Sequence, residues 1–305
     1  MSVFSQSPSE RDKEIRGIWH DYSAFYQFAG GVSLVLFGIL IGALIFGTDP
    51  GYPTNLYTET ISIGVTVFVL NLFNERRDHA RRMRELRERL MREMGSSDNA
   101  TARNAVRELQ AYGWLFDGSI GAISLESANL REARLQKANL AQADFMGANL
   151  DSAIMTEAIL DNARLDKACL HRAELGRASL RDAQLNSADL REARFGYAAL
   201  QNASLRMADM REAALIDTNV QNADLRRADL SNAILIRADL RGANLLGANL
   251  CGADLRECHV ENAKMAHRFF GNTRMDAETI LPDGTRYTPE KGVEQLERFT
   301  HPAQS

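Results

Sequence analysis

The sequence predicts an all-β array of short extended pieces joined by turns, preceded by a helical and partly apolar N-terminal third. Three observations predict it. First, from Leu130 to Met265 every fifth residue is large and apolar, 28 positions in one unbroken register, of which 21 are Leu. The others are Phe145, Met155, Phe195, Met210, Val220, Val260 and Met265. Second, the residue two before each is Ala in 26 cases, with Thr218 and Cys258 the exceptions. Third, a period of five fits neither the helical 3.6 nor the strand alternation of 2. A large residue and the small one two before it share a face, as i and i+2 do in a strand. The large one fills an interior and the small one lets the walls approach. The position just before the large residue is often Asn or Asp, whose side chain bonds nearby backbone in turns.

The frame Ala128-Asn129-Leu130-Arg131-Glu132, repeated far downstream as Ala238-Asp239-Leu240-Arg241-Gly242, resembles the pentapeptide repeat family. The resemblance implies an all-β solenoid, a right-handed quadrilateral β-helix with four pentapeptides per coil. The core register then makes about seven coils, eight with its edges, since Ile120 and Leu125 precede it in phase and Phe270, Met275 and Ile280 follow. At about 4.8 Å per coil the rod is about 35 to 40 Å long. Contacts are mostly with neighbouring coils, so the array needs capped ends.

The chain has 305 residues, a net charge of -4 and three Cys. Three scattered Cys make no disulfide framework and fit a reducing compartment. No long single-sign charge block points to nucleic acid.

Taken in order, residues 1–24 form an N-terminal segment, and an aromatic cluster, Trp19, Tyr22, Phe25 and Tyr26, straddles its end as at a membrane interface. Residues 25–47 are uncharged and long enough to cross a bilayer. A cleaved signal peptide is the rival reading; the apolar run is too long for one, and no small-x-small site follows. Residues 48–58, with Pro50, Gly51 and Pro53, form a turn-rich loop without Lys or Arg. Residues 59–74 are a second candidate crossing, short and interrupted by Asn71, which spans only with tilt or thinning; a re-entrant or peripheral segment is the alternative. Arg76, Arg77, Arg81, Arg82, Arg84, Arg87, Arg89 and Arg92 follow. The positive-inside rule places both ends, and so the rod, in the cytoplasm of a multi-pass protein.

Residues 75–94 read as a charged amphipathic helix with Met83, Leu86 and Leu90 in one stripe. It suits an arm at the lipid surface, an oligomerising seam, or a spacer continuing the preceding helix. Residues 95–117 form a linker and cap. Ser97 or Asp98 is the N-cap of a helix over roughly 100–112, with Ala102, Ala105, Val106 and Leu109 on one face. Trp114, Leu115 and Phe116 close the start of the rod, which spans 118–280. Residues 281–305 are the C-terminal cap and tail: a turn at Pro282-Asp283-Gly284, then a helix over 289–299 with Val293, Leu296 and Phe299 inward. Two apolar runs, the charged helix and the segments 113–119 and 281–284 together resemble membrane-attached bacterial pentapeptide proteins.

With four pentapeptides per coil, residues twenty apart stack, and candidate chemistry can be placed. Asn129, Asn149, Cys169, Asp189, Asp209, Asp229 and Asn249 align, and three Asp in line suggest either a cation or acid–base site or a turn ladder bonded to backbone. The ladder is the reading preferred, because nothing supplies a catalytic pocket. Cys251, Cys258, His259 and His267 crowd in sequence, but the register sends them to different sides, so no metal site and no cofactor is expected. No P-loop, dinucleotide or nucleophile motif appears.

Some pentapeptide proteins resemble DNA and bind gyrase, which makes a DNA-mimic regulator of a topoisomerase the alternative function. From Gly118 to Ile280 there are 20 Lys plus Arg against 22 Asp plus Glu, too balanced for such a mimic, and no nucleic acid is expected. A better lead is the side centred on Leu215 and Leu235, where Ile216, Ile234 and Ile236 occupy positions that are normally polar; scattered surface Ile is the plain alternative. Gly38 and Gly42 permit close helix pairing. Leu130, Leu150, Leu190, Leu225, Leu240 and Leu250 represent the core. The expected function is a non-catalytic, membrane-anchored scaffold, presenting a rigid rod to a protein partner or to another copy of itself.

Overall fold

The computed structural model describes residues 54–265 and 273–290. The chain forms two compact units, Met1–Arg84 and Glu85–Ser305. Among the described residues the regular elements are α1 (Thr54–Met94), α2 (Asn99–Ala111), and the two short parallel strands β1 (Asn244–Leu245) and β2 (Lys264–Met265). Between Ser124 and Arg274 the described residues also form a stack of isolated parallel bridges, each joining residues twenty apart, such as Asn149 to Cys169 to Asp189 to Asp209. That spacing makes four pentapeptides per coil.

Each pentapeptide has a small, a bridge, a central, a first-turn and a second-turn position. The small and central side chains from Leu125 to Leu255 are buried to within 3 % of fully, so the interior is solid. One pentapeptide, Ala188 to Glu192, shows how the backbone is satisfied. The Ala188 N–H closes the preceding turn on the Leu185 carbonyl (3.2 Å). Asp189 donates to the coil before, at the Ala168 carbonyl (3.0 Å), while Leu190 and Glu192 donate to the coil after, at the Asp209 (2.7 Å) and Arg211 (3.0 Å) carbonyls. The fifth N–H, that of Arg191, reaches the Asp189 carboxylate (3.3 Å). An Asx residue at the bridge position therefore completes the set by giving this exposed N–H an acceptor within the rod. The second-turn residue sits at positive φ, as the third residue of a type II turn does; Glu192 has φ 56° and Tyr197 60°. Left-handed backbone costs an L-residue about 1 kcal/mol or more, offset here by bonds above and below.

α2 covers the open first coil. Asp98 caps it by accepting from the Thr101 N–H (2.8 Å), and Ala102, Ala105, Val106 and Leu109 are buried. The Asn129 and Asn139 N–H groups have no earlier coil to bond, and use the Ser96 (2.9 Å) and Leu115 (2.7 Å) carbonyls instead. Asn99 donates to the Asn129 and Arg131 carbonyls, and Gln110 to that of Arg134. An edge that would otherwise be an open template is closed.

The far end departs from the expected phase. Leu281, not Ile280, takes the buried central position, Thr279 the small one, and Met275 is only half-buried. Ile280 becomes the bridge residue and pairs with His259, twenty-one residues back. The extra residue is absorbed at Asp276, whose carboxylate accepts from the Glu278 (3.2 Å) and Thr279 (3.1 Å) N–H groups. The Pro282-Asp283-Gly284 turn then brings Arg286 back antiparallel to Ile280. Phe269, Phe270 and the helix expected at 289–299 lie outside the described residues, except Pro289 and Glu290, which are in a turn.

The expected boundary between a membrane segment at 59–74 and a charged helix at 75–94 is absent, because α1 runs through both. No helix among the described residues is long and apolar enough to cross a membrane. The apolar run from 60 to 73 rises only about 21 Å, against about 30 Å of hydrocarbon. The second crossing is corrected accordingly; the first, at 25–47, lies outside the described residues, as do Gly38 and Gly42. In the second unit the end of α1 is a packing element: Leu90 and Met94 are fully buried, and Arg87 lies 5.0 Å over the Trp114 ring.

Candidate interaction surface

The aligned Asp residues are engaged within the rod. Arg191 grips Asp189 with two bonds (2.8 and 2.7 Å), and Arg211 grips Asp209 in the same way (2.8 and 2.6 Å). Asp229 accepts from the Ser231 N–H (3.0 Å) and hydroxyl (2.7 Å) and from Asn249 (3.0 Å). The Arg hydrogen bonds hold the Asp189 and Asp209 carboxyls below the usual carboxylate range, against some desolvation. The arrangement is a ladder of turns and ion pairs.

The same pairing recurs wherever Asp and Arg flank a central residue: Asp224 with Arg226, Asp239 with Arg241, and Asp254 with Arg256. Sequence reasoning missed these pairs, although two residues apart on an extended piece is the spacing that puts side chains on one side. A further cluster links His171 to Asp151 (2.9 Å) and Glu192 (3.3 Å), with Arg172 on Glu192 (2.8 Å).

The Cys and His residues do not converge. Cys251 is exposed. Cys258 is buried, donates to the Leu235 carbonyl (2.6 Å), and has its thiol pushed up to about 12 by burial. His259 bonds Glu261 (3.3 Å), and His267 lies outside the described residues. Thr218, the other exception at the small position, donates its hydroxyl to the Phe195 carbonyl (2.8 Å), so both exceptions bring a donor to a buried carbonyl. Leu130, Leu150, Leu190, Leu225, Leu240 and Leu250 are all buried.

The side centred on Leu175, Phe195, Leu215 and Leu235 is different. Its bridge positions read Ile154, Glu174, Arg194, Ala214, Ile234 and Asp254 in successive coils. Its first-turn positions read Thr156, Gly176, Gly196, Ile216, Ile236 and Arg256. Ile234 is 38 % exposed, Ile216 and Ile236 are half-buried, and Tyr197 beside them is 62 % exposed. From Ile154 to Ile234 no bridge residue is Asx. Among the described residues, the N–H groups of Thr156, Gly176, Gly196, Ile216 and Ile236 have no acceptor in the rod. Asp217 neutralises Arg237 (2.7 Å twice), and Arg177 lies 5.7 Å over the Tyr197 ring.

The coil geometry and the repeat define a class, the β-helical repeat proteins whose interior is filled by one small and one large residue from every five. The family model for pentapeptide repeats matches in eight copies over 123–166, 158–196, 193–232 and 233–267. The chain belongs to the pentapeptide repeat family, and its rod is the right-handed quadrilateral β-helix of that family.

Solved structures that it resembles include HetL, a pentapeptide repeat protein involved in heterocyst differentiation regulation from Nostoc sp. strain PCC 7120. That match has 27 % identity, covers 55 % of this chain and 91 % of that one, and has a TM-score of 0.32. A second Nostoc PCC 7120 pentapeptide repeat protein is 34 % identical over 34 % of this chain and 84 % of its own, at TM-score 0.30. QnrB1, a plasmid-mediated fluoroquinolone resistance protein, is 16 % identical over 59 % and 97 %, at TM-score 0.36. At such scores the whole-chain superpositions carry no argument, and the assignment rests on the repeat. No curated protein sequence matches the chain.

Proposed function

We propose that this chain is a non-catalytic scaffold whose rod docks a protein partner on the Leu215 side. Pentapeptide repeat proteins are interaction scaffolds without catalysis, and one observation carries the finer reading. Ile216, Ile234 and Ile236 stand together on a single side, at positions that most pentapeptides fill with polar groups, whereas the exposed Ile159 and Leu246 stand singly on other sides. A filled interior leaves a rod of this kind only its outward positions for binding. The Asp–Arg pairs neutralise the carboxylates that a DNA mimic would need to display, which favours protein docking over the topoisomerase alternative.

The test is Ile216→Asp with Ile236→Asp in the detergent-solubilised full chain. Association with the partner, or self-association, drops while the unfolding transition stays put. Association unchanged by both substitutions overturns the docking side.

The same reading places the chain at a membrane through residues 25–47, with the rod on the cytoplasmic side, where the Arg-rich stretch after residue 75 belongs. The exposed Ile63, Val65, Val67, Leu70 and Phe73 of α1 suit apolar surroundings and support it. An impermeant thiol reagent should leave the exposed Cys251 untouched in intact cells and label it after permeabilisation. Labelling from outside overturns the placement.

A further inference from the structure

Between Glu126 and Glu261 the rod has 28 first-turn positions, of which two are Gly and two are Ile. All four fall on the Leu215 side in four successive coils: Gly176, Gly196, Ile216, Ile236. The rod itself does not require the glycines. Neither has positive φ, and a Cβ on Gly176 would approach the Gly196 carbonyl no closer than 3.7 Å. On Gly196 it would meet the Ile216 carbonyl at 3.8 Å, an ordinary contact. Gly242 and Gly252 contrast with them, since both have positive φ and a Cβ there would collide with the Asn carboxamide one coil earlier. Two missing side chains thus lie directly before two protruding ones, with the same single-coil spacing within each pair.

A column of two hollows followed by two knobs is complementary to itself when reversed. We propose that the occupant of this side is a second copy of the chain, packed antiparallel about a two-fold axis that passes between the coils of Phe195 and Leu215. The proposal rests on the docking reading above and deepens it. An isologous contact brings each patch against its own copy. Reversal sets Ile216 into the hollow at Gly196 of the other copy and Ile236 into that at Gly176. Knobs and hollows both recur at the coil spacing of about 4.8 Å, so both pairs seat together.

At the flanks Arg194 comes opposite the small Ala214, Ile234 comes opposite Glu174, and the exposed Tyr197 comes opposite Asp217, whose carboxylate Arg237 already holds. The local charges are largely cancelled within each rod, Glu174 against Arg194 (3.9 Å) and Asp217 against Arg237 (2.7 Å). Arg177 and Arg237 meet at the corner, where Arg237 is already neutralised by its carboxylate and Arg177 is spread over the Tyr197 ring.

The test exchanges knobs and hollows in the full chain, with mass measured by sedimentation velocity. Gly176→Ile with Gly196→Ile fills both hollows and makes knob meet knob. Ile216→Gly with Ile236→Gly removes both knobs. Each double variant alone weakens the dimer by more than about tenfold, with the unfolding transition unchanged. An equimolar mixture of the two restores a dimer, because an all-knob column then faces an all-hollow one. A monomeric wild-type chain, a dimer insensitive to either double variant, or a mixture that stays monomeric overturns the pairing. Should the Gly→Ile variant fold poorly, the Ile→Gly variant alone tests the pairing, which a dimer of undiminished strength overturns. A wild-type monomer that still loses a different bound protein on Ile216→Asp with Ile236→Asp sinks self-pairing and leaves the docking side standing.

Discussion

The Leu130 side and the Leu215 side of the rod share one backbone, one bonding scheme and one interior, yet their outward chemistry is opposite. On the first, Asn or Asp holds six of seven bridge positions from Asn129 to Asn249, and Arg191 and Arg211 fold back onto Asp189 and Asp209. Its polar groups are spent on the rod itself. On the second, Ile154, Glu174, Arg194, Ala214 and Ile234 replace the Asx residues, five N–H groups are left without an internal acceptor, and apolar side chains face outward. The fold therefore does not need the Asx ladder on every side. Where the ladder is given up, the surface is free to serve something other than the rod.

The comparison breaks first if the interiors differ. Leu190→Ala beneath the Leu130 side and Leu235→Ala beneath the Leu215 side empty equally buried positions. Each should cost about 2 to 5 kcal/mol. Urea unfolding of the two variants should agree to within about 1 kcal/mol; a wider gap would show that the sides differ inside as well as out.

A smaller effect lies at the corner where the Leu215 side passes to the Val220 side. Thr218→Val keeps the shape of a buried residue but removes its bond to the Phe195 carbonyl. That carbonyl also accepts from the Ala198 N–H (2.8 Å), so it is not stranded. A loss of about 0.5 to 1.5 kcal/mol is expected by chemical denaturation.

The ladder of the Leu130 side answers to acid, as do Asp217 and Asp254 of the Leu215 side, whose carboxyls their Arg partners lower in the same way. The ladder's Asp189 and Asp209 carboxyls are lowered in the folded state, chiefly by their Arg partners. Their stabilisation is complete above the unfolded value of about 3.9 and is lost as pH falls through the lower folded value. Melting temperature should be flat from neutral pH down to about 5 and then fall, and Asp189→Asn with Asp209→Asn should shrink that fall. An equal acid response in the double variant would remove the ladder from the explanation. Smallest of all, Ile216→Thr should leave monomer stability within about 0.5 kcal/mol. A larger loss would assign that side chain to the rod instead of to its surface.

Much of this was legible in the chain. The five-residue register located the core and the small positions, because a solid interior repeats its volume at every level; the twenty-residue stacking came from the resemblance to the family. The cap helix was legible in Asp98 and the spacing from Ala102 to Leu109. The left-handed corners were not, since they are held by Glu192, Tyr197, Arg227 and similar residues with no turn signature of their own; inter-coil bonds impose that conformation. The shift at the C-terminal end was hidden because Ile280, an apolar residue in phase, sits beside the true core residue Leu281. The supposed second crossing failed on length, for α1 continues a short apolar run into an Arg-rich one with no break in the helix.

The cap at the first coil has a consequence for how the molecule is made. Ser96, Asn99, Gln110 and Leu115, which close that coil, all precede it in the chain. On a ribosome the lid is therefore complete before the part it covers has emerged. Each later coil docks against a finished one, so the nascent rod has a single growing edge, and assembly is vectorial from the first turn to the last.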